Sequence, residues 1–306
     1  MLDINQILSK KEKVFTSTGE NVHIDSILIE ENGMIQKHFY KPDCLHEMRS
    51  LSKVLIALAY GIVLDKKLIS LDTFVYPTFA KLNVEIKKDN LDKIKQWKIR
   101  HLLTYTCGYE KQMFSEKYIK DLDKNKLLEY VLNYDLPNPV GKIYTYNNAE
   151  TFLLSVFFQE MFKENIADFI AREIFSPLGI TEYKWENFGK YCSGGTGLYI
   201  SHESLFKIGQ LILHKGKFND KQIISHFFIE EMCKTQIQTP NATKLDRVLP
   251  KFGVGYIMHI SRDGYVYKDG TNGQYLIVNF AKNQLVTILS SESEMNYVIE
   301  ILRDFI

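Results

Sequence analysis

Residues 48–65 read MRSLSKVLIALAYGIVLD, a serine and a lysine one helical turn apart followed by an unbroken apolar run. A helix over 49–65 is apolar nearly all round, so it belongs in the centre of the molecule rather than on its surface. It is too short to span a bilayer, which takes about 20 residues. Ser50 and Lys53 stand at i and i+3, on one face of that helix. A serine hydroxyl is a weak nucleophile until a base takes its proton. The apolar residues after Lys53 desolvate its ammonium and favour the neutral amine that acts as such a base. Ser50 also lies at the helix start, where the dipole and free N–H groups favour a developing oxyanion. By itself a serine at this position is more often a helix cap, and Ser-x-x-Lys recurs in this chain at Ser204–Lys207. There Ser201-His202-Glu203-Ser204 reads as the cap of a surface helix, a structural role.

Outward from this helix, residues 26–30 and 34–40 flank Asn32-Gly33 and predict a β-hairpin. From 67 to 190 the pattern is mostly helical, with helices over 99–105, 124–132 and 149–162, and a further amphipathic helix over 201–214. The last third predicts strands over 254–260, 264–268, 274–280 and 285–290, then a closing helix over 294–306. Strands at both ends with helices between them predict an α+β fold, its sheet built from both termini and flanked by helices, with an all-helical lobe inserted. The sheet lobe takes residues 1–65 and 196–306, the helical lobe 66–195, and the functional cleft lies between them.

Two further clusters carry chemistry. Tyr146-Asn147-Asn148 is the sole Tyr-x-Asn among 18 tyrosines and immediately precedes the 149–162 helix. A tyrosine near a lysine relays a proton, and the Asn148 amide holds a lysine or a substrate carbonyl; alternatively Asn148 simply caps the helix. Lys268-Asp269-Gly270-Thr271-Asn272-Gly273 lies between two strand-like runs. A lysine on a cleft-edge strand polarises the tyrosine, Gly270 lets a substrate backbone approach, and the Thr271 N–H is a second oxyanion donor beside that of Ser50. The bland alternative is a Gly/Asn hairpin turn, and Lys251-Phe252-Gly253 shows that Lys-x-Gly also recurs casually.

Ser-x-x-Lys, Tyr-x-Asn and Lys-x-Gly in this order resemble the serine β-lactamase and penicillin-binding protein superfamily. The likeness is greatest to class C-type members: CubicO-type serine hydrolases, class C-like esterases and nylon-oligomer hydrolases. It extends to Met48–Lys53, Ile99-Arg100-His101-Leu102-Leu103-Thr104, Phe175-Ser176-Pro177-Leu178-Gly179-Ile180 and Gly194-Gly195-Thr196-Gly197-Leu198, and covers roughly residues 22–306. The resemblance implies a β-lactamase-like antiparallel sheet with an acylating Ser50. It also implies proton transfer by Lys53 and Tyr146, support from Asn148 and Lys268, and an oxyanion hole of the Ser50 and Thr271 amides. Family members with lysine at position 268 usually follow it with a threonine that helps hold a substrate carboxylate; here Asp269 stands there. A carboxylate beside the cleft repels anionic groups next to the scissile bond, which predicts neutral or cationic substrates. Strand alternation also allows Lys268 and Asp269 to point to opposite faces.

Composition narrows the function classes. A net charge of +1 over 306 residues, with 25% charged and 45% hydrophobic, leaves no field to recruit nucleic acid or anionic lipid. The first 20 residues carry no signal-peptide pattern, and the four scattered cysteines form no CxxC pair, which together predict reduced thiols in a cytoplasmic protein. Eight histidines without His-Glu-x-x-His or a tight cluster imply no metal, and no glycine-rich phosphate loop or other cofactor motif is present. The expected function is a serine hydrolase acting on an ester or amide of a small molecule or peptide. β-Lactamase or D-Ala-D-Ala peptidase activity is the alternative within that chemistry, and a non-catalytic binding or sensing protein is the alternative outside it.

Overall fold

The computed structural model describes residues 2–113, 119, 121–240 and 248–306. Its frame is an eight-stranded sheet of β1 (Ser26–Glu31), β2 (Met34–Phe39), β3 (Ile237–Gln238), β4 (Gly253–Val254), β5 (His259–Ile260), β6 (Val266–Gly270), β7 (Gln274–Asn279) and β8 (Gln284–Leu289). The spatial order is β3-β4-β5-β6-β7-β8-β1-β2, antiparallel throughout. The N-terminal hairpin thus joins the C-terminal strands through β1 and β8, with Ile27 opposite Ile288. Asn32 (φ 52°) and Gly33 (φ 81°) make the left-handed pair that a two-residue hairpin turn requires.

Both faces of this sheet are covered. Leu28, Val266, Leu276, Val278, Leu285 and Leu289 join the larger apolar core, with the Ser52–Asp65, Ala149–Phe162 and His202–Leu213 helices. Ile27, Ile29, Tyr267, Tyr275, Ile277, Val286 and Ile288 join a second cluster under the chain ends. The alternation of one strand between these clusters is why β1, β7 and β8 are buried along their whole length.

The antiparallel sheet drawn from both termini is as the sequence implies, and several elements differ in detail. The apolar run 254–260 is not one strand. It breaks into β4 and β5 because the amides between them bond elsewhere: Tyr256 N–H to Met232 O at 3.0 Å, Ile257 N–H to Leu103 O at 2.8 Å, and Gly255 N–H to Met258 O at 2.9 Å. The strand expected at 264–268 runs instead from Val266 to Gly270, so Lys268, Asp269 and Gly270 lie inside it. Among the described residues of 66–195, helices joined by turns and irregular segments dominate, and the named strands are short: Lys184–Trp185, Asn187–Phe188 and Tyr191–Cys192. A small sheet of His46–Glu47, Leu198–Ile200 and Lys184–Trp185 ties that region to the segment before Ser50. The closing helix is shorter than expected, Met295–Glu300. A helix over Ile4–Lys11, capped by the Asp3 side chain, was not foreseen; it buries Ile4 and Ile7 in the second cluster.

Candidate active site

The segment before the central helix is fixed at both ends. Met48 N–H donates to Leu198 O at 2.8 Å, and Arg49 Nε pairs with Glu47 Oε2 at 3.0 Å. Arg49, directly before Ser50, holds a left-handed backbone (φ 47°), which a non-glycine residue adopts only at a cost of about 1–3 kcal/mol. Ser50 therefore sits on a single 3₁₀ turn, Arg49–Leu51, that leads into the α-helix. Lys53 follows one turn on and is fully buried; its Nζ donates to Ser50 Oγ at 2.8 Å and to Gly195 O at 2.7 Å. Gly195 has no room for a side chain, since a Cβ there would lie 3.2 Å from Lys53 Nζ and 2.7 Å from Thr151 Oγ1. Burial, with the charge of Lys268, pushes Lys53 well below its ordinary value, and Asp269 opposes this only in part.

Tyr146 closes on the same oxygen from the helical side. Its hydroxyl donates to Ser50 Oγ at 2.7 Å. Burial raises its pKa above the ordinary phenol value, the Ser50 hydrogen bond pulling the other way and Asp269 adding to the rise. Asn147 anchors the preceding turn: its Oδ1 accepts from Ala149 N–H at 2.9 Å and from Met113 N–H at 3.2 Å. The Asn148 side chain makes no capping bond, so simple capping does not account for it.

Lys268 is fully buried on β6, its Nζ 4.5 Å from the Tyr146 ring centroid. Burial pushes it down to about 7, with Asp269 raising and Lys251 lowering it. Asp269 leaves the next position of the strand, where alternation sends it to the opposite face. Its carboxylate nevertheless returns to the cluster, Oδ1 lying 3.3 Å from His259 Nε2 and Oδ2 3.4 Å from Lys251 Nζ. His259 Nε2 is also 3.0 Å from Lys268 Nζ and 3.2 Å from Lys251 Nζ.

Lys251 and His259 were not recognised in the sequence. Lys251 stood there as a casual Lys-x-Gly, and His259 lay within a run read as one continuous strand. No local spacing betrays either residue, because the break between β4 and β5 and the pairing of β5 with β6 bring them in.

The remaining expected positions lie along the same edge. Gly270 ends β6, and a Cβ there would come 3.2 Å from Arg49 Cβ, which places this strand end against the Ser50 turn. Thr271 follows in the exposed turn that Gly273 N–H closes onto Gly270 O at 3.1 Å. The second Ser-x-x-Lys is a cap: Ser201 Oγ accepts from Ser204 N–H at 3.2 Å, and Lys207 Nζ reaches Gly179 O instead.

Residues 33–299 match the family model described as Beta-lactamase. The chain belongs to the beta-lactamase family. Its fold is shared with EstCE1, a hydrolase with promiscuous acyltransferase activity (TM-score 0.78, 14% identity, 98% of this chain and 97% of that one). It is shared too with a class C beta-lactamase from Rhodobacter sphaeroides (TM-score 0.71, 14% identity, 97% and 98%). A third similar structure is the octameric penicillin-binding protein homologue from Pyrococcus abyssi (TM-score 0.74, 17% identity, 98% and 77%). A comparison with curated proteins finds no match.

Membership of the beta-lactamase family puts the chain within the serine β-lactamase and penicillin-binding protein superfamily, whose members are serine hydrolases. In this beta-lactamase-family chain, no group of three or more His, Cys, Asp or Glu among the described residues is placed to hold a metal ion. None of their helices is long and apolar enough to cross a membrane.

Proposed function

We propose that the chain is a class C-like, CubicO-type serine hydrolase that cleaves an ester or amide bond of a small molecule or peptide through an acyl-Ser50 intermediate. The observation that carries this reading is two contacts on one oxygen: Lys53 Nζ at 2.8 Å and Tyr146 Oη at 2.7 Å from Ser50 Oγ. Both distances are within the reach a general base and acid need. Lys53, whose pKa burial pushes well below its ordinary value, takes the Ser50 proton as the neutral amine while Oγ attacks the carbonyl carbon. Tyr146 keeps its proton until the leaving group departs, gives it up there, and is reprotonated by Lys53. Water then attacks the acyl group through the same transfers in reverse. The Ser50 and Thr271 amides stabilise the oxyanion, Gly270 admits the substrate backbone, and Asn148 and Lys268 support the lysine and the tyrosine. The strained backbone at Arg49 supports the same reading, since strain of this kind collects at functional sites.

The test is labelling with a fluorophosphonate, read by intact mass and peptide mapping, beside hydrolysis of a simple aryl ester. The expected adduct lies on the Ser50 peptide and is absent from Ser50→Ala, which also loses hydrolysis. An adduct on Ser204 or a cysteine, or full activity in Ser50→Ala, overturns the mechanism. A wild-type chain that neither labels nor hydrolyses is a non-catalytic protein of this fold.

A further inference from the structure

Three lysine Nζ atoms surround one tyrosine ring beside Ser50. Lys268 Nζ lies 4.5 Å from the Tyr146 centroid, Lys53 Nζ 5.3 Å and Lys251 Nζ 5.9 Å. With Lys53 acting as an amine, the cations of this corner are Lys251 and Lys268, which with nothing to balance them draw in anions and disfavour cations. The carboxylate that balances it comes from the chain itself. Asp269 Oδ2 lies 3.4 Å from Lys251 Nζ, and Oδ1 lies 3.3 Å from His259 Nε2 and 4.0 Å from Lys268 Nζ. His259 is fully buried and brings the two lysines together, its Nε2 being 3.0 Å from Lys268 Nζ and 3.2 Å from Lys251 Nζ.

The topology explains how Asp269 gets there. β5 pairs with β6 only at Tyr267 and Val266. Residues 268–270 of β6 lie beyond the last pair with β5, and from position 269 the carboxylate reaches the Lys251 and His259 side chains. Lys251 meets it there from the segment before β4. The arrangement is held on the buried side by His259 and Lys268, while Lys251 and Asp269 stay partly solvent-reachable, at 23% and 18% side-chain exposure.

We propose that Asp269 is a specificity-determining residue: a built-in counter-ion, held by Lys251, that occupies the lysine corner and restricts the site to esters or amides uncharged next to the scissile bond. The proposal rests on the acyl-serine reading above and adds to it the substrate class and a role for Lys251. Removing the Asp269 charge then frees two lysines to receive a substrate carboxylate. Removing Lys251 alone leaves Asp269 less neutralised and turns carboxylates away more strongly.

The experiment compares kcat/KM for a neutral p-nitrophenyl ester with that for an analogue of equal size that carries a carboxylate on the carbon next to the ester carbonyl. It uses wild type, Asp269→Asn, Asp269→Thr, Lys251→Gln and the Asp269→Asn/Lys251→Gln pair, with Ser50→Ala as blank. Wild type is expected to prefer the neutral ester by about tenfold or more, the scale of one charge contact largely screened by solvent and the neighbouring lysines. Either Asp269 variant shifts the ratio at least about tenfold toward the carboxylate. Lys251→Gln in the Asp269→Asn background cancels that gain, and Lys251→Gln alone moves the ratio several-fold the other way. A wild type that prefers the carboxylate, Asp269 variants whose ratio moves less than about twofold, or a double variant that keeps the gain overturns the proposal. Calorimetric binding of the same two esters to Ser50→Ala, with and without Asp269→Asn, reads the selectivity without turnover. Selective binding by a chain whose wild type never hydrolyses either ester overturns the acyl-serine reading and leaves the counter-ion standing; equal binding of both esters overturns the counter-ion.

Discussion

At the scale of single residues, the candidate chemistry depends on Lys53 being an amine rather than an ammonium. Its burial is complete, and the carbonyl of Gly195 and the hydroxyl of Ser50 hold its tip from two sides. An arginine in its place keeps the length and charge but cannot lose a proton near neutral pH, and its planar head does not fit against Gly195. Lys53→Arg is therefore expected to lower kcat for a simple ester by about 10²-fold or more, nearly as much as Lys53→Ala. The measurement is steady-state kinetics on folded protein, and an arginine variant within tenfold of wild type shows that Lys53 only positions Ser50. The Ser50, Lys53 and Tyr146 positions were legible because their spacing and neighbours are local. Lys251 and His259 were not, because what makes them site residues is a turn between two short strands.

At the scale of elements, the central helix succeeds by packing rather than by amphipathicity. Residues from Ser52 to Val63 are all buried, so no polar stripe is left to mark a surface. Gly61 is the point where a neighbouring helix comes closest: a Cβ there would lie 2.4 Å from Phe228 Cδ1 and 2.5 Å from Cε1, on the His226–Met232 helix. In helix terms alone Gly61→Ala is favourable by about 1 kcal/mol. The overpacking against Phe228 outweighs that, and the variant is expected to lose about 1–3 kcal/mol of stability. Denaturant midpoints check this, and Phe228→Leu in the Gly61→Ala background should recover part of the loss. A more stable Gly61→Ala would show that the Phe228 ring moves aside freely. The same closeness explains the broken strand at 254–260: a Cβ on Gly255 would lie 2.0 Å from Met232 O, so the chain is drawn to the helix end and away from the sheet.

At the scale of the whole molecule, two buried ionisable groups away from Ser50 tie stability to pH in opposite senses. Glu150, fully buried in the first turn of the Ala149–Phe162 helix, is pushed by burial from 4.5 up to about 8, with nearby backbone of Glu150 and Cys107 opposing. The folded state therefore holds a proton that the unfolded state has lost. Its contribution is full below about 4.5 and is lost progressively as pH rises to about 8. His202, buried between Ser26 Oγ and Thr287 Oγ1, is pushed by burial from 6.5 down to about 3, so its contribution is full above 6.5 and is lost as pH falls toward 3. Glu150→Gln removes the first dependence and leaves the second. The variant is expected to gain on wild type from pH 5 to pH 8, by up to a few kcal/mol. Thermal melts across that range read the difference; two parallel curves would place Glu150 in contact with water or a cation in the folded state.

The local sequence determined the nucleophile helix, the Asn32-Gly33 hairpin, the Ala149–Phe162 helix and the order of the three motifs, because periodicity, turn chemistry and i, i+3 spacing act over a few residues. It also determined that strands from both chain ends serve one fold. Only the tertiary structure decided which polar residues share the site. Sheet order sets β6 beside the Ser50 turn. The break between β4 and β5 delivers His259, and beyond the last β5–β6 pair Asp269 turns back toward Lys251. Those placements depend on where backbone amides find partners across long separations in the chain. A group buried on every side, such as Lys53 or Lys268, takes its charge state from neighbours that no window of adjacent residues contains.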